Sequence, residues 1–310
     1  MKNSVYIILL NYHGFNDTIE CINSLMKLEQ VDFRIVIVDN SETVDDLNKL
    51  ISFAKQQSCT SISFNNDECI TYKNEKLILI RSNTNKGFAH GNNIGIRFSM
   101  QQANCKFLWI LNNDTVVLPD SLANLVIKHN ENPKVLLGSK LVYYYHKNTL
   151  QAVGGRFNET LYIPEHVGEG LPVTTLKATL PKIHYPLGAA MFVDRKFIDE
   201  VGLLNEAYFL YYEELDWVYR ARSYGYLVDW CENSVVYHKE GASIGSSYSN
   251  EKSDFSEEHL FKSRQLFIKT HFGLNSKFYL TTFLLIANRF RKGKFKLAKK
   301  LIKNTYNDIK

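Results

Sequence analysis

VYIILLNYHGFNDTIECINSLMKLEQVDFRIVIVD, residues 5–39, reads as strand, helix, strand. VYIILL at 5–10 is an unbroken apolar run of strand length, as expected for a strand buried on both faces. From Asn16 to Leu28 the apolar residues recur at amphipathic helical spacing, and RIVIVD at 34–39 then repeats the first run. Such a β-α-β unit predicts a parallel sheet. KLILI at 76–80 and FLWIL at 107–111 extend the pattern, each bounded by Asn/Asp-rich turns. The carboxyl ends of such strands form the edge where open α/β sheets bind ligands. The expected class is therefore α/β, a mixed sheet flanked by helices.

Further along, helical period disappears between 143 and 186, where Tyr, Gly and Pro punctuate loops and short antiparallel strands. A strand is expected at 187–193 and a helix from Glu213 to Tyr224, stopped by Gly225. Residues 241–258, GASIGSSYSNEKSDFSEE, have the polar, Ser-rich character of a mobile loop, and the remainder is helical and basic. There is no internal repeat.

A chain of 310 residues with 45% hydrophobic and 22% charged side chains has the balance of an ordinary globular protein. Its five cysteines, Cys21, Cys59, Cys69, Cys105 and Cys231, are scattered and form no CxxC, which fits a reducing cytosol better than a disulfide framework or a zinc site. The opening apolar run is too short for a signal peptide, and FYLTTFLLIA at 278–287 is about half the roughly 20 residues of a spanning helix. Of 37 Lys/Arg and 32 Asp/Glu, residues 289–310 hold nine and one, leaving 28 basic against 31 acidic side chains elsewhere. The positive charge belongs to the tail, which argues against a nucleic-acid-binding body.

Several polar clusters have the residue types that chemistry needs. Asp39 ends a strand in VDNSE, where its carboxylate either accepts from a nucleobase N–H or a ribose, or forms an Asx turn with Asn40 and Ser41. NTNKGFAHGNNIGI at 83–96 sets glycines at 87, 91 and 95 around Asn92 and Asn93, a pattern suited to a pyrophosphate approaching a helix N-terminus or to a plain strand-to-helix turn. FLWILNNDTVV runs a strand into Asn112, Asn113 and Asp114. A diphosphate bound with Mg2+ or Mn2+ needs one or two carboxylates, and Asp114 suits that role as well as it suits a turn. Glu213, Glu214 and Asp216 in YYEELD supply either a general base or the acids favoured in a first helical turn. His238 after a strand is either a structural hydrogen-bonding residue or a ligand.

Taken in order, IILLNYHG, VDNSE, NKGFAHGNNIGI, LNNDT, PLGAAMFVDRKFIDEVGLLNEAYFLYYEELD and HKEGAS resemble the motifs of family 2 glycosyltransferases, particularly the rhamnosyltransferase-like branch, from Val5 to about Gly245. The resemblance implies a GT-A-like (Rossmann-like) catalytic domain over 1–245, with a nucleotide-binding half at 1–115 and an acceptor half at 116–245. Residues 246–310, beyond the resemblance, read as a mobile loop plus a helical basic tail expected to associate with membrane. The resemblance also implies nucleotide-sugar contacts from Asn11, Asp39, Asn40, Gly87, Phe88, Gly91, Asn92, Asn93, Asn112, Asn113 and Gly188. Asp114 would bind the metal with His238 as a further ligand, and Glu214 would be the catalytic base, with Glu213 and Asp216 as second choices. Asn112 stands where the metal motif has its first acid, and Glu214 stands where the family usually has Asp.

The implied reaction is inverting transfer of a sugar, rhamnose being the analogy, from a dTDP- or UDP-linked donor to a cell-envelope glycan such as O-antigen or to a lipid-linked acceptor. In the tail, Phe295, Ala298, Ile302 and Tyr306 share one helical face with lysines opposite. That face either packs on the body or lies on an anionic membrane, giving a cytoplasmic, peripheral location on the inner face of the membrane. The competing readings are a non-catalytic glycosyltransferase-like scaffold or glycan-binding protein, and another nucleotide-sugar enzyme. The latter would have basic residues in the first loop, and NYHGFND has none.

Overall fold

The structure, a computed structural model, describes residues 4–56, 63–65, 76–82, 84–239 and 253–307. The first half runs β1 (Ser4–Asn11), α1 (Phe15–Leu25), β2 (Phe33–Asp39), α2 (Asp45–Gln56), β3 (Ser63–Asn65), β4 (Leu77–Arg81), α3 (Phe88–Met100) and β5 (Cys105–Asn112). Then come β6 (Thr115–Val117), α4 (Ser121–Glu131), β7 (Val135–Tyr143), β8 (Leu150–Ala152), β9 (Gly154–Asn158), β10 (Ile163–Val167), β11 (Ala190–Asp194), α5 (Arg195–Val201), α6 (Glu213–Arg222) and β12 (Leu227–His238). Three helices close the chain, α7 (Asp254–His271), α8 (Ser276–Arg291) and α9 (Phe295–Asn307).

One mixed sheet is ordered β3-β4-β2-β1-β5-β11-β7-β12-β6, with β8 paired to β7, while β9 and β10 form a separate hairpin. The expected nucleotide half supplies parallel strands, and β11 from the second half joins β5 antiparallel, so both halves share the sheet. Period-two alternation explains the unbroken apolar runs. Tyr6, Ile8, Val36, Val38, Leu108 and Ile110 enter the core on one face, and Ile7, Leu9, Ile35, Ile37, Trp109 and Leu111 enter the core on the other. Each such fully buried aliphatic side chain contributes about 1.5–3 kcal/mol. The register sets Asn11 opposite Asp39 and Leu10 opposite Asn112, so the polar ends of β1, β2 and β5 reach the same edge.

Two expectations change. The segment expected as a loop to 258 is helical from Asp254, because Ser253 caps the helix by accepting from Ser256 N–H and Asp254 and Glu257 favour its positive end. Residues 240–252, including the end of the HKEGAS motif, lie outside the described residues. In the tail, Ala298 is buried with Leu297 and Leu301 against Phe261 of α7 and Ile286 of α8, whereas Phe295 and Ile302 face outward. Part of that face therefore packs on the body, and the side chain of Tyr306 lies outside the described residues. The C-terminal helices also share the main core, since Phe267, Ile268 and Phe278 pack in the cluster that holds Tyr6 and Ile8.

Cys21, Cys105 and Cys231 are buried free thiols, and burial pushes Cys21 and Cys105 up to about 12. Cys59 and Cys69 lie outside the described residues. Among the described residues, no helix is long and apolar enough to cross a membrane.

Candidate active site

At the polar edge Asn11 is a hub. Its Nδ2 donates to Asp39 Oδ1 at 2.8 Å and its Oδ1 accepts from Thr18 Oγ1 at 2.8 Å. Asp39 Oδ1 also accepts from Ser41 Oγ at 2.9 Å, so the Asx-type turn and the poised carboxylate coexist. Asp39 Oδ2 is buried and has no hydrogen-bond partner among the described residues. Burial raises the Asp39 carboxyl above its ordinary value, against the hydrogen bonds from Asn11 and Ser41. An unsatisfied buried acceptor of this kind costs stability until a donor reaches it. The next residue, Asn40, donates to Asn85 Oδ1 at 2.8 Å and holds an equally unpartnered Oδ1.

Beside this edge, β12 pairs with β6 so that His238 lies opposite Thr115, directly after Asp114. His238 Nε2 stands 3.1 Å from Asp114 Oδ1 and 3.3 Å from Asn112 Nδ2, and its Nδ1 is 2.8 Å from Gln151 Oε1. The Gln151 contact at Nδ1 holds the ring with Nε2 toward Asp114. Two donors about 3 Å apart suit adjacent ligands of one octahedral ion at roughly 2.1 Å. No group of three or more His, Cys, Asp or Glu among the described residues is placed to hold an ion. Asp114 and His238 alone would leave most of an octahedral shell to other donors.

The acid pair, Glu213 and Glu214, lines the same cavity as Asp114 and His238. Tyr211 and Tyr212 both adopt left-handed backbone, φ 69°, immediately before α6. For non-glycine residues this costs on the order of 1–3 kcal/mol each, and it brings Glu213 and Glu214 to the cavity at the positive end of the helix. Tyr212 makes no side-chain cap. Glu213 is buried and hydrogen-bonded to Glu214. Burial first, then the neighbouring carboxylate, raises its carboxyl well above the ordinary range. Asp216, one turn on, has a different job. It is paired with Arg220 Nε at 2.8 Å and His271 Nε2 at 2.9 Å, and these partners overcome burial to hold its carboxyl low.

The glycine-rich segment divides in two. Gly87, at φ 95°, caps α3 so closely under Phe209 that a Cβ would stand 2.2 Å from its carbonyl oxygen, and that carbonyl already accepts the first helical amide, Phe88 N–H, at 2.8 Å. Gly91 and Gly95 let α3 lie on β1, since a Cβ there would meet Leu10 at 2.4 Å or Ile8 at 2.6 Å. Asn92 donates to Phe88 O, and Asn93 bonds both backbone groups of Leu204 and also Glu206. Gly91 thus serves helix packing and Asn93 loop anchoring, while Asn92 Oδ1 is buried with no hydrogen-bond partner among the described residues.

A single cavity of about 640 Å³ gathers Asn40, Gly87, Phe88, Asn112, Asn113, Asp114, Gly188, Glu213, Glu214 and His238. Gly188 sits where a Cβ would be 3.8 Å from both Glu213 Oε1 and the Phe88 ring. Asn11, Asp39, Gly91, Asn92, Asn93 and Asp216 are not on its wall, although Asn11 accepts from the backbone N–H of Asn40 and from Nδ2 of Asn113, two residues that are. Tyr12, Asn85, Gln151, His166, Tyr185 and Phe255 also line it and were not among the expected site residues. Asn85 stands within the glycine-rich segment itself, whereas Gln151 carries no sequence signal, being delivered by the β7–β8 pairing.

Residues 4–202 match Glycosyl transferase family 2. The chain is 24% identical over 246 residues to the low-salt glycan biosynthesis hexosyltransferase Agl10 of Haloferax volcanii, covering 77% of this chain and 68% of that one. It is 27% identical over 216 residues to the dTDP-rhamnosyl transferase RfbF of Shigella flexneri, covering 66% and 68%. Among solved structures it resembles GalNAc-T7, crystallised with UDP, GalNAc and Mn2+, with a TM-score of 0.59 at 14% identity, covering 76% of this chain and 44% of that one. This chain thus spans less than half of that protein, and the likeness is one of fold. With the family match running through β1, the Asp39 and Asp114 edges and β11, and with the GT-A sheet beneath them, the chain belongs to glycosyl transferase family 2.

Proposed function

We propose that this chain transfers a sugar, rhamnose first among the candidates, from a dTDP- or UDP-linked donor to a cell-envelope glycan or lipid-linked acceptor, with inversion at the anomeric carbon. The observation that carries this reading is one cavity lined both by Asp114 and His238 and by buried Glu213 with half-buried Glu214 beside it. Asp39, with its unsatisfied Oδ2, and Asn40 would receive the nucleoside. Asp114 and His238 would hold Mg2+ or Mn2+, whose bound form neutralises charge on a departing diphosphate.

Glu214 is the proposed base. It takes the acceptor hydroxyl proton as that oxygen attacks the anomeric carbon and the bond to the nucleoside diphosphate breaks. Glu213 keeps its own proton and donates it in a hydrogen bond to Glu214, so one negative charge is concentrated where the acceptor arrives. The extra methylene of Glu214 relative to Asp extends the base further from α6 into the cavity. Release of nucleoside diphosphate from a panel of donors, with purified envelope glycan or lipid extract as acceptor, tests the reading. The expected result is acceptor-dependent release by wild type that Glu214→Gln loses by about 10²–10⁴-fold. Equal release by that variant would remove Glu214 from the reaction.

A further inference from the structure

We propose that the outward face of α8, with the basic face of α9 beside it, is a docking surface for an anionic lipid bilayer. Tyr279, Leu280, Phe283 and Leu284 are all exposed, Phe283 by 66% and Leu280 by 60%, and at 100° per residue they form one stripe with Ala287. The opposite side of the same helix buries Phe278, Thr281, Thr282 and Ile286. This helix therefore has an anchored back and an uncovered apolar front, a pattern that marks an interaction surface rather than scattered exposure.

Charge selects the occupant. α9 presents Phe295 and Ile302 outward together with Lys296, Lys299 and Lys303, and no carboxylate among the described residues lies within ion-pair distance of these three lysines. Arg291 is exposed at the end of the α8 stripe. Other basic residues of the tail are used internally, Arg289 and Lys294 on Glu257 and Lys300 on Glu258. A second copy docked by twofold symmetry would bring a second set of these lysines into the same interface, which like-charge repulsion disfavours. An anionic headgroup layer instead attracts the tail while repelling the net-acidic body, which fixes the orientation. α8, at 16 residues, would lie in the interface plane.

The front of α8 is also tied to the cavity. Thr281 and Thr282 on its back accept from Arg264, whose Nε donates to Tyr162 O at the β9–β10 turn. β10 in turn carries Pro164 and His166 to the cavity wall. Docking through α8 would thus hold that wall at a set height above the lipid. None of this depends on the reaction read for the cavity.

The test is sedimentation of the full chain with vesicles of phosphatidylcholine alone or mixed with phosphatidylglycerol. Wild type is expected to bind the mixed vesicles, less so at high salt, and to leave the neutral ones. Phe283→Ser/Leu284→Ser and Lys296→Gln/Lys299→Gln/Lys303→Gln are each expected to lower binding, the latter roughly a hundredfold. Both should keep the wild-type circular dichroism and cooperative melting, with Leu280→Gln as the milder apolar variant should the double one unfold. Wild type that ignores anionic vesicles, variants that bind unchanged, or a wild-type dimer that the apolar variant disperses in sedimentation velocity would each overturn the proposal.

Discussion

Glu213 and Glu214 differ in what their surroundings ask of them. Glu213 keeps its proton at higher pH than a carboxyl normally does, because it is buried beside Glu214. Glutamine mimics a protonated glutamate, so Glu213→Gln should retain more transfer activity than Glu214→Gln in a donor-turnover assay, and the reverse ranking would exchange their roles. A pH effect on stability arises elsewhere. Burial opposes ionisation of Glu206, yet hydrogen bonds from His90, Asn93 and Arg97 hold its carboxyl down at about 2. With the folded value depressed, its contribution is present above the ordinary carboxylate range and is lost as pH falls toward 2. The melting-temperature gap between wild type and Glu206→Gln should therefore narrow in acid. Asp39 and His238 end strands and Asp114 sits in the turn after β5, so each stood out in a polar cluster of the sequence. Which acid of YYEELD faces the cavity was not legible, since Asp216 is withdrawn by His271, a residue 55 positions away.

At the scale of elements, α3 shows how a motif serves packing as well as ligand contact. Gly91 faces Leu10 on β1, so Gly91→Val would overpack that seam and destabilise the protein by about 1–3 kcal/mol in chemical denaturation. Nucleotide affinity should fall only through displacement of Gly87 and Phe88. Arg264 is the second such joint. It is buried, bonds Tyr162 O, Thr281 and Thr282, and lies over the Phe278 ring. Arg264→Met should cost about 2–4 kcal/mol, because three buried acceptors lose their donor, and unchanged unfolding would contradict this account of how α7 and α8 hold the hairpin. The β-α-β elements were legible because continuous apolar runs announce strands buried on both faces. The first turn of α7 was not, because Ser, Asp and Glu suit both a loop and a helix N-terminus. The tail was half legible, since its apolar residues split between an inward seam at Leu297, Ala298 and Leu301 and an outward face.

Across the whole molecule, the sheet gathers residues from three distant parts of the chain. Asp114 follows β5, His238 ends β12, and the acid pair opens α6, all lining the same cavity. Order along the sequence suggested this grouping, and within the sheet the crossing of β11 between β5 and β7 joins the two halves. Gln151, which fixes the His238 ring, became visible only through that arrangement. The central claim is that the Asp114 side binds a metal–nucleotide diphosphate independently of the acid pair. Calorimetric titration of dTDP and UDP, with Mn2+ and with chelator, into wild type, Asp114→Ala and Glu214→Gln tests it most directly. The account predicts Mn2+-dependent binding of one nucleotide to wild type and to Glu214→Gln, lost in Asp114→Ala and in chelator. Absence of binding to wild type at millimolar nucleotide, or binding by Asp114→Ala as tight as by wild type, would contradict it.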